Sequence, residues 1–414
     1  LDGDACHSDG LLDKGARTLA KAPEPRKIWG KLRCFRPDSR RLARPSPSPE
    51  PGPDSQARLQ AVVDAATGVA DHLNALSDAL QRERMDADAG IAVQVRTLNE
   101  TLGNIERLNA QILAATASGH DATALMDQRQ LLVDKVAEIV PVREVLRDRN
   151  QISLYTTGGA ILLEGNPAVV GFTPVGVITA DMTIGSGALS GFTVNGQPVP
   201  SGDDGVLGGG TLGALVAIRD RLAPDAQVQI DAVARDLVER FESTAVDPTL
   251  TPGQPGLFTD ANASFDPLLE TGLAGRIALN ALVDPARGGQ IWRLRDGLGA
   301  AAPGNVGDAT LLNALGAALT GPRTPASGTF IGAARSASGL AADLVSGFAH
   351  LRLEAESRES FAVARQDALT GMQLSQGVDT DAEMQTLLLV EQSFAANARV
   401  IQVIDDLIQK LIGL

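Results

Sequence analysis

The chain is predicted to be an α+β protein: a long helical coiled-coil rod assembled from discontinuous segments, with β-rich domains inserted between them. Three observations predict this. Apolar residues recur in alternating steps of three and four through most of 56–115 and again through 387–411, the spacing of one helix face. Between those regions the period drops to two in short runs that close on Gly- and Asn-containing turns. Aromatic residues make up only 3 % of the 414-residue chain, a composition that suits Ala/Leu/Val helices better than a pocketed enzyme core.

Charge and composition exclude several classes. The formal net charge is −14, which argues against a nucleic-acid-binding surface over most of the chain. No apolar run reaches the ~18 residues needed to cross a bilayer, so no membrane partner is expected. No n-region and h-region of a secretory signal are seen. Residues 1–53 stand apart. They hold eleven Lys/Arg against seven Asp/Glu, a net +4 that leaves −18 on residues 54–414. They also contain both cysteines, Cys6 and Cys34, and Pro45-Ser-Pro-Ser-Pro-Glu-Pro-Gly-Pro53, which forms neither helix nor paired strand. This segment is expected to be disordered or non-native, the alternative being a basic arm for an acidic partner.

The elements follow in order. Residues 54–141 are expected to form a helical hairpin. One helix carries Leu59, Val62, Ala66, Val69, Leu73, Leu76 and Leu80, then Ile91, Val95, Leu98, Leu102, Ile105, Leu108 and Ile112. Between the two sets Arg82, Glu83, Arg84, Asp86 and Asp88 interrupt the seam, and a slip of register or change of partner is expected there. Ser118-Gly119 ends this helix, and a second over 121–140 stops at Pro141. Residues 142–207 read as a β-rich insertion, from Gln151-Ile-Ser-Leu-Tyr-Thr156, Ile161-Leu-Leu-Glu-Gly-Asn166 and Gly191-Phe-Thr-Val-Asn-Gly196. Helix returns over 208–246, in two pieces with Pro224 starting the second. Residues 247–335 form a second, small mixed insertion. Residues 336–414 close the rod with a helical pair, the first helix carrying Leu340, Leu344, Phe348, Leu351 and Ala355. The insertions are expected to project outward from a helical stalk.

The terminal helix is expected to start near Thr380, which with Glu383 forms a capping box after Gly377. Its seam is Leu387, Val390, Phe394, Asn397, Ile401, Ile404, Ile408 and Leu411, the candidate assembly interface. A stripe of this length requires other helices to cover it. Asn397 is its one polar member. It either fixes register and partner number from a buried position, or faces water or bonds a neighbouring backbone.

Chemistry-bearing motifs are scarce, and no catalytic, cofactor-binding or metal-binding residue is assigned. Gly208-Gly-Gly-Thr-Leu-Gly213 fits G-x-G-x-x-G, and Asp231 lies at about the right distance for the ribose-binding acid. Asp231 falls in a helical stretch with no strand after it, so a glycine turn leading into helix is the simpler reading. His7, His72, His120 and His350 share no ligand spacing. Asp86-Ala-Asp-Ala-Gly90 matches the opening of a calcium loop but lacks its later glutamate, and a solvated helix face is expected instead.

Three stretches carry a family resemblance. Gly377-Val-Asp-Thr-Asp-Ala-Glu-Met-Gln-Thr-Leu387, Glu391-Gln-Ser-Phe-Ala-Ala-Asn-Ala-Arg-Val-Ile-Gln402 and Leu411-Ile-Gly-Leu414 resemble the C-terminus of the flagellar hook-associated protein 1 family. Leu108-Asn-Ala-Gln-Ile112 with Leu125-Met-Asp-Gln-Arg-Gln-Leu-Leu132, and Gly209-Gly-Thr-Leu-Gly-Ala-Leu215 through Arg219 and Asp220, resemble that family's middle. The resemblance implies a non-enzymatic structural protein, exported through the flagellar apparatus and located outside the cell at the joint between hook and filament. It implies as partners a ring of its own copies, the hook protein, a second junction protein toward the filament, and a cytoplasmic export chaperone on the C-terminal helix. The family's N-terminal helical segment is expected to be missing or replaced in residues 1–53. Two other readings are a nucleotide-dependent enzyme built on the glycine turn and a coiled-coil scaffold such as a phage tail component.

Overall fold

A computed structural model describes residues 55–202, 205–376, 384–385 and 387–394. The readings made for residues 1–53, for the Thr380/Glu383 capping box, and for Asn397, Ile401, Ile404, Ile408 and Leu411 lie outside the described residues. The chain divides into two compact units, one ending at Ser346 and one beginning at Gly347.

The first unit is organised by one helix, α1 (Gln56–Ala117), about 90 Å long at 1.5 Å per residue. Its seam does not lapse at 82–88. The inward face runs Leu73, Ser77, Leu80, Arg84, Ala87, Ile91, Val95, Leu98, Leu102, Ile105, Asn109 and Ile112, all buried, in unbroken steps of three and four. The expected slip of register therefore does not occur: Arg84 and Asn109 occupy seam positions as buried polar residues. The expected change of partner does occur: Asn74 and Ser77 bond to Ala274, Ile277 and Gln227, whereas Asn99 and Asn109 bond to Val170 and Ile152. Near the start of α1 the inward residues are Leu59, Val63 and Ala70, while Val62 is 43 % exposed. The helix ends at Gly119, whose φ of +73° lets the His120 amide donate to the Ala115 carbonyl at 2.9 Å. α2 (Thr123–Ile139) then returns along α1 and stops before Pro141.

Residues 142–199 form two small antiparallel sheets rather than one. β1 (Val142–Leu146), β2 (Ile152–Thr156), β3 (Ile161–Glu164) and β4 (Asn166–Pro167) pair in sequence order. β5 (Val170–Gly171), β6 (Phe192–Val194) and β7 (Gln197–Val199) make the second. Asn195 and Gly196, with φ of 51° and 78°, supply the two left-handed residues of the β6–β7 turn. These sheets do not project outward. Ile152, Leu154, Leu162, Leu163 and Phe192 share one core with Ile91, Leu98 and Leu102 of α1. Strands this short cannot close a core of their own, so they bury their apolar face on the helix.

α3 (Gly210–Ala217), a π turn (Ile218–Leu222) and α4 (Ala223–Phe241) follow as one uninterrupted helix. Pro224 thus does not begin a separate helix. A proline ring inside an α-helix clashes with the carbonyl four residues back. The wider π turn, in which the Ala223 amide donates to the Ile218 carbonyl, makes room for it. In 247–335 the sequence reading missed the antiparallel pair β8 (Phe258–Asp260) and β9 (Ile277–Leu279). The short helices α5 (Arg293–Asp296) and α6 (Thr310–Thr320) complete that region. Arg240 on α4 pairs with Asp236 at 2.6 Å and donates to the carbonyls of Ala318, Gly321 and Arg335. One buried cation thereby ties the end of α6 and the approach to the next helix to α4. That helix, α7 (Ala337–Gln376), opens with Leu340 and Leu344 buried.

The second unit, from Gly347, is helical throughout its described residues, which are mostly exposed.

Candidate assembly interface

The part of the C-terminal seam that the structure describes is uncovered. Leu387, Val390 and Phe394 are 67 %, 61 % and 77 % exposed, and Leu388 and Leu389 beside them are also exposed. Leu353, Phe361, Leu369 and Met372 extend the same character back along α7. Two turns of contiguous exposed apolar side chains exceed the scatter normal for a folded surface.

The middle motifs have a different role: they meet inside the first unit. Asn109 of α1 donates through Nδ2 to the Ile152 carbonyl at 3.0 Å, and its Oδ1 accepts from the Ile152 amide at 3.3 Å. The same Oδ1 accepts from Arg129 Nη1 of α2 at 2.9 Å, and Arg129 also donates to the Asn150 carbonyl at 2.6 Å. One asparagine and one arginine from two separated motifs thereby pin β2 and its preceding turn to the helical hairpin. That turn needs holding, because Arg149 and Asn150 both carry positive φ, 55° and 61°, a conformation costly for residues with a Cβ. Burial lowers the Arg129 pKa, and Glu144 opposes the shift.

The glycine motif is a packing joint and not a phosphate cradle. Gly210 has φ +60°, and a Cβ there would stand 2.4 Å from the Ile139 carbonyl oxygen at the end of α2. Gly209, with φ +88°, lies against Pro141, and the Thr211 hydroxyl donates to the Glu138 carbonyl at 2.9 Å. The turn is occupied by the chain itself, and none of the sheets among the described residues is parallel. Asp231 sits on α4 with 2 % exposure. Its carboxylate accepts from the Gly272 and Ala274 amides at 2.7 and 2.8 Å and from Gln227 at 2.9 Å. It caps the turn before β9, and burial raises its pKa.

Arg219 and Asp220, at the π turn, join a buried ionic knot. Arg219 pairs with Asp88 of α1 at 2.7 Å and with Asp220 at 2.8 Å. Burial pulls the Arg219 pKa down, but hydrogen bonds and charge from Asp220 and Asp88 outweigh it and hold the value above that of a free guanidinium. Arg84 donates to the Arg219 carbonyl at 3.0 Å, and burial lowers its pKa. The expectation that Asp86 to Gly90 is a solvated face fails at Asp88, which is 0 % exposed. Its partner lies 131 positions away, so nothing local in the sequence announces it. Among the described residues no group of His, Cys, Asp and Glu could hold a metal ion, and no helix is long and apolar enough to cross a membrane.

A long helix carrying docked sheets, together with a described stretch of exposed apolar side chains at 387–394, fits a structural protein. The comparisons with known proteins sharpen that class. Residues 51–256 match the family described as the flagellar hook-associated protein FlgK helical domain, and residues 369–414 match the flagellar basal body rod FlgEFG protein C-terminal family. The chain belongs to the flagellar hook-associated proteins. It is similar to a solved structure, the flagellar hook junction protein FlgK from Burkholderia pseudomallei, at 22 % identity and a TM-score of 0.40. The likeness covers 56 % of this chain and 39 % of that one, so the chain spans about two fifths of that protein's length. A comparison with curated proteins finds no match.

Proposed function

We propose that this chain is a structural subunit of the flagellar axis that joins hook to filament, acting by packing and not by catalysis. The observation that carries the reading is the family membership of 51–256 together with the exposed stripe at Leu387, Val390 and Phe394. The seam continues in sequence through Asn397, Ile401, Ile404, Ile408 and Leu411, and its burial against other helices supplies the driving force. Its partners on this reading are further copies in a ring, the hook protein on one side and a second junction protein on the other. Before export, a cytoplasmic chaperone covers the same helix. The protein reaches the extracellular flagellum through the flagellar export apparatus.

Electron microscopy of a flagellate strain from which the gene has been deleted tests this. The expected result is hooks without attached filaments, with filament protein found in the medium. Filaments attached in normal number would refute the proposal.

A further inference from the structure

Residues 172–190 join β5 to β6 with neither helix nor strand, yet they are drawn across the middle of α1. Their own side chains hold them at few points: Phe172 packs against the core at the segment's start and Ile178 and Leu189 are buried, while Val177 and Ile184 are exposed. Three apolar side chains do not offset the ordering of a segment this long. What holds it is backbone hydrogen bonding to three side chains of the knot. Arg84 donates to the carbonyls of Thr179, at 2.9 Å, and Met182. Asp88 accepts from the Val175 amide at 2.6 Å, and Arg219 donates to the Ser190 carbonyl at 3.1 Å. Arg219 also lies 5.2 Å over the Phe172 ring at the segment's start. All three polar side chains are 0–1 % exposed.

We infer that Arg84, Asp88 and Arg219 form a latch that makes residues 172–190 a separately releasable strap, opening and closing over α1 while the rest of the unit stays folded. The attachments on either side of the strap are independent of the latch. Asn99 of α1 holds the Val170 amide and carbonyl, at 2.9 and 2.8 Å, and Phe192 of β6 pairs with Val199 of β7. Release therefore leaves β5 and β6 in place. The latch is polar where an apolar anchor would have served stability equally well. Its groups can rehydrate as the strap lifts, whereas an apolar anchor would resist opening throughout. Such a segment is a low-stability cooperative unit within a more stable frame.

Hydrogen–deuterium exchange on the full chain decides the matter, comparing the native sequence with the triple variant Arg84→Met, Asp88→Leu, Arg219→Met. Amides of 175–190, Val175 foremost, are expected to exchange at least about tenfold faster in the variant, while those of Leu98, Leu102 and Ile105 on α1 and of β2 keep native protection. Unchanged protection in 175–190 would overturn the inference. Equal loss across α1 and β2 would overturn it as well, because the knot would then support the whole unit. If the triple variant does not fold, Asp88→Asn is read by the same criterion: faster exchange confined to 175–190 sustains the latch, and loss spread through α1 or none at all overturns it.

Discussion

Replacing Asn109 with alanine should damage the fold far more than its size suggests. The side chain satisfies both the amide and the carbonyl of Ile152, which is 2 % exposed, so water cannot take its place. A buried polar group left without a partner costs about 1–3 kcal/mol. Two such groups put the loss at about 2–6 kcal/mol, and Arg129 loses one acceptor while keeping the Asn150 carbonyl. A loss of about 3–4 kcal/mol is therefore expected. Asn109→Asp keeps the acceptor for Arg129 and for the Ile152 amide and loses only the donor, so it should cost less than alanine. Gln111 belongs to the same motif but is exposed, and Gln111→Ala should change stability by less than about 0.5 kcal/mol. Urea unfolding with unchanged m-values measures all three. An alanine variant within about 0.5 kcal/mol of the native protein, or an aspartate variant worse than alanine, would refute the reasoning.

Further outcomes follow from the same structure. Gly210→Ala should destabilise by more than about 2 kcal/mol, because the left-handed backbone and the Ile139 carbonyl both reject a Cβ. Calorimetry of the native protein with dinucleotides should show no saturable heat, and saturable binding lost in that variant would revive a nucleotide site. Glu242 accepts from the Phe265 amide at 2.9 Å, and burial, with Glu239 nearby, raises its pKa. A raised folded-state pKa gives stability that is fully present below the unfolded value and lost as pH rises through the folded one. Glu242→Gln should therefore be more stable than the native protein at pH 7, with the gain vanishing as pH falls below the ordinary carboxylate range. A pH-independent difference in denaturation midpoint would contradict this.

Much of the fold was legible because helix and strand periods are local. The α1 seam, the hairpin at Gly119, the strands of 142–207 and the glycine turn before Thr211 all announce themselves within a few residues. What stayed hidden depends on partners distant in sequence. Arg84 and Asp88 looked like a gap in the seam because Arg219 and the 172–190 backbone complete them only in three dimensions. Pro224 looked like a helix start because a π turn leaves no local signature. The sheets were expected to stand apart, since nothing in their alternation reveals that α1 is the surface covering them. The helical character of the C-terminal repeat was also legible, since its period is local, and Leu387, Val390 and Phe394 stand exposed on a helix.

Whether that stripe joins subunits is tested most directly in the flagellum itself. The double variant Ile401→Asp, Ile408→Asp should be produced in a strain lacking the native protein, with attached filaments counted and the variant traced by immunogold labelling. The account predicts bare hooks carrying no label, while the purified variant keeps the 142–207 sheets folded by hydrogen exchange. Labelled junctions bearing filaments in native number would contradict it.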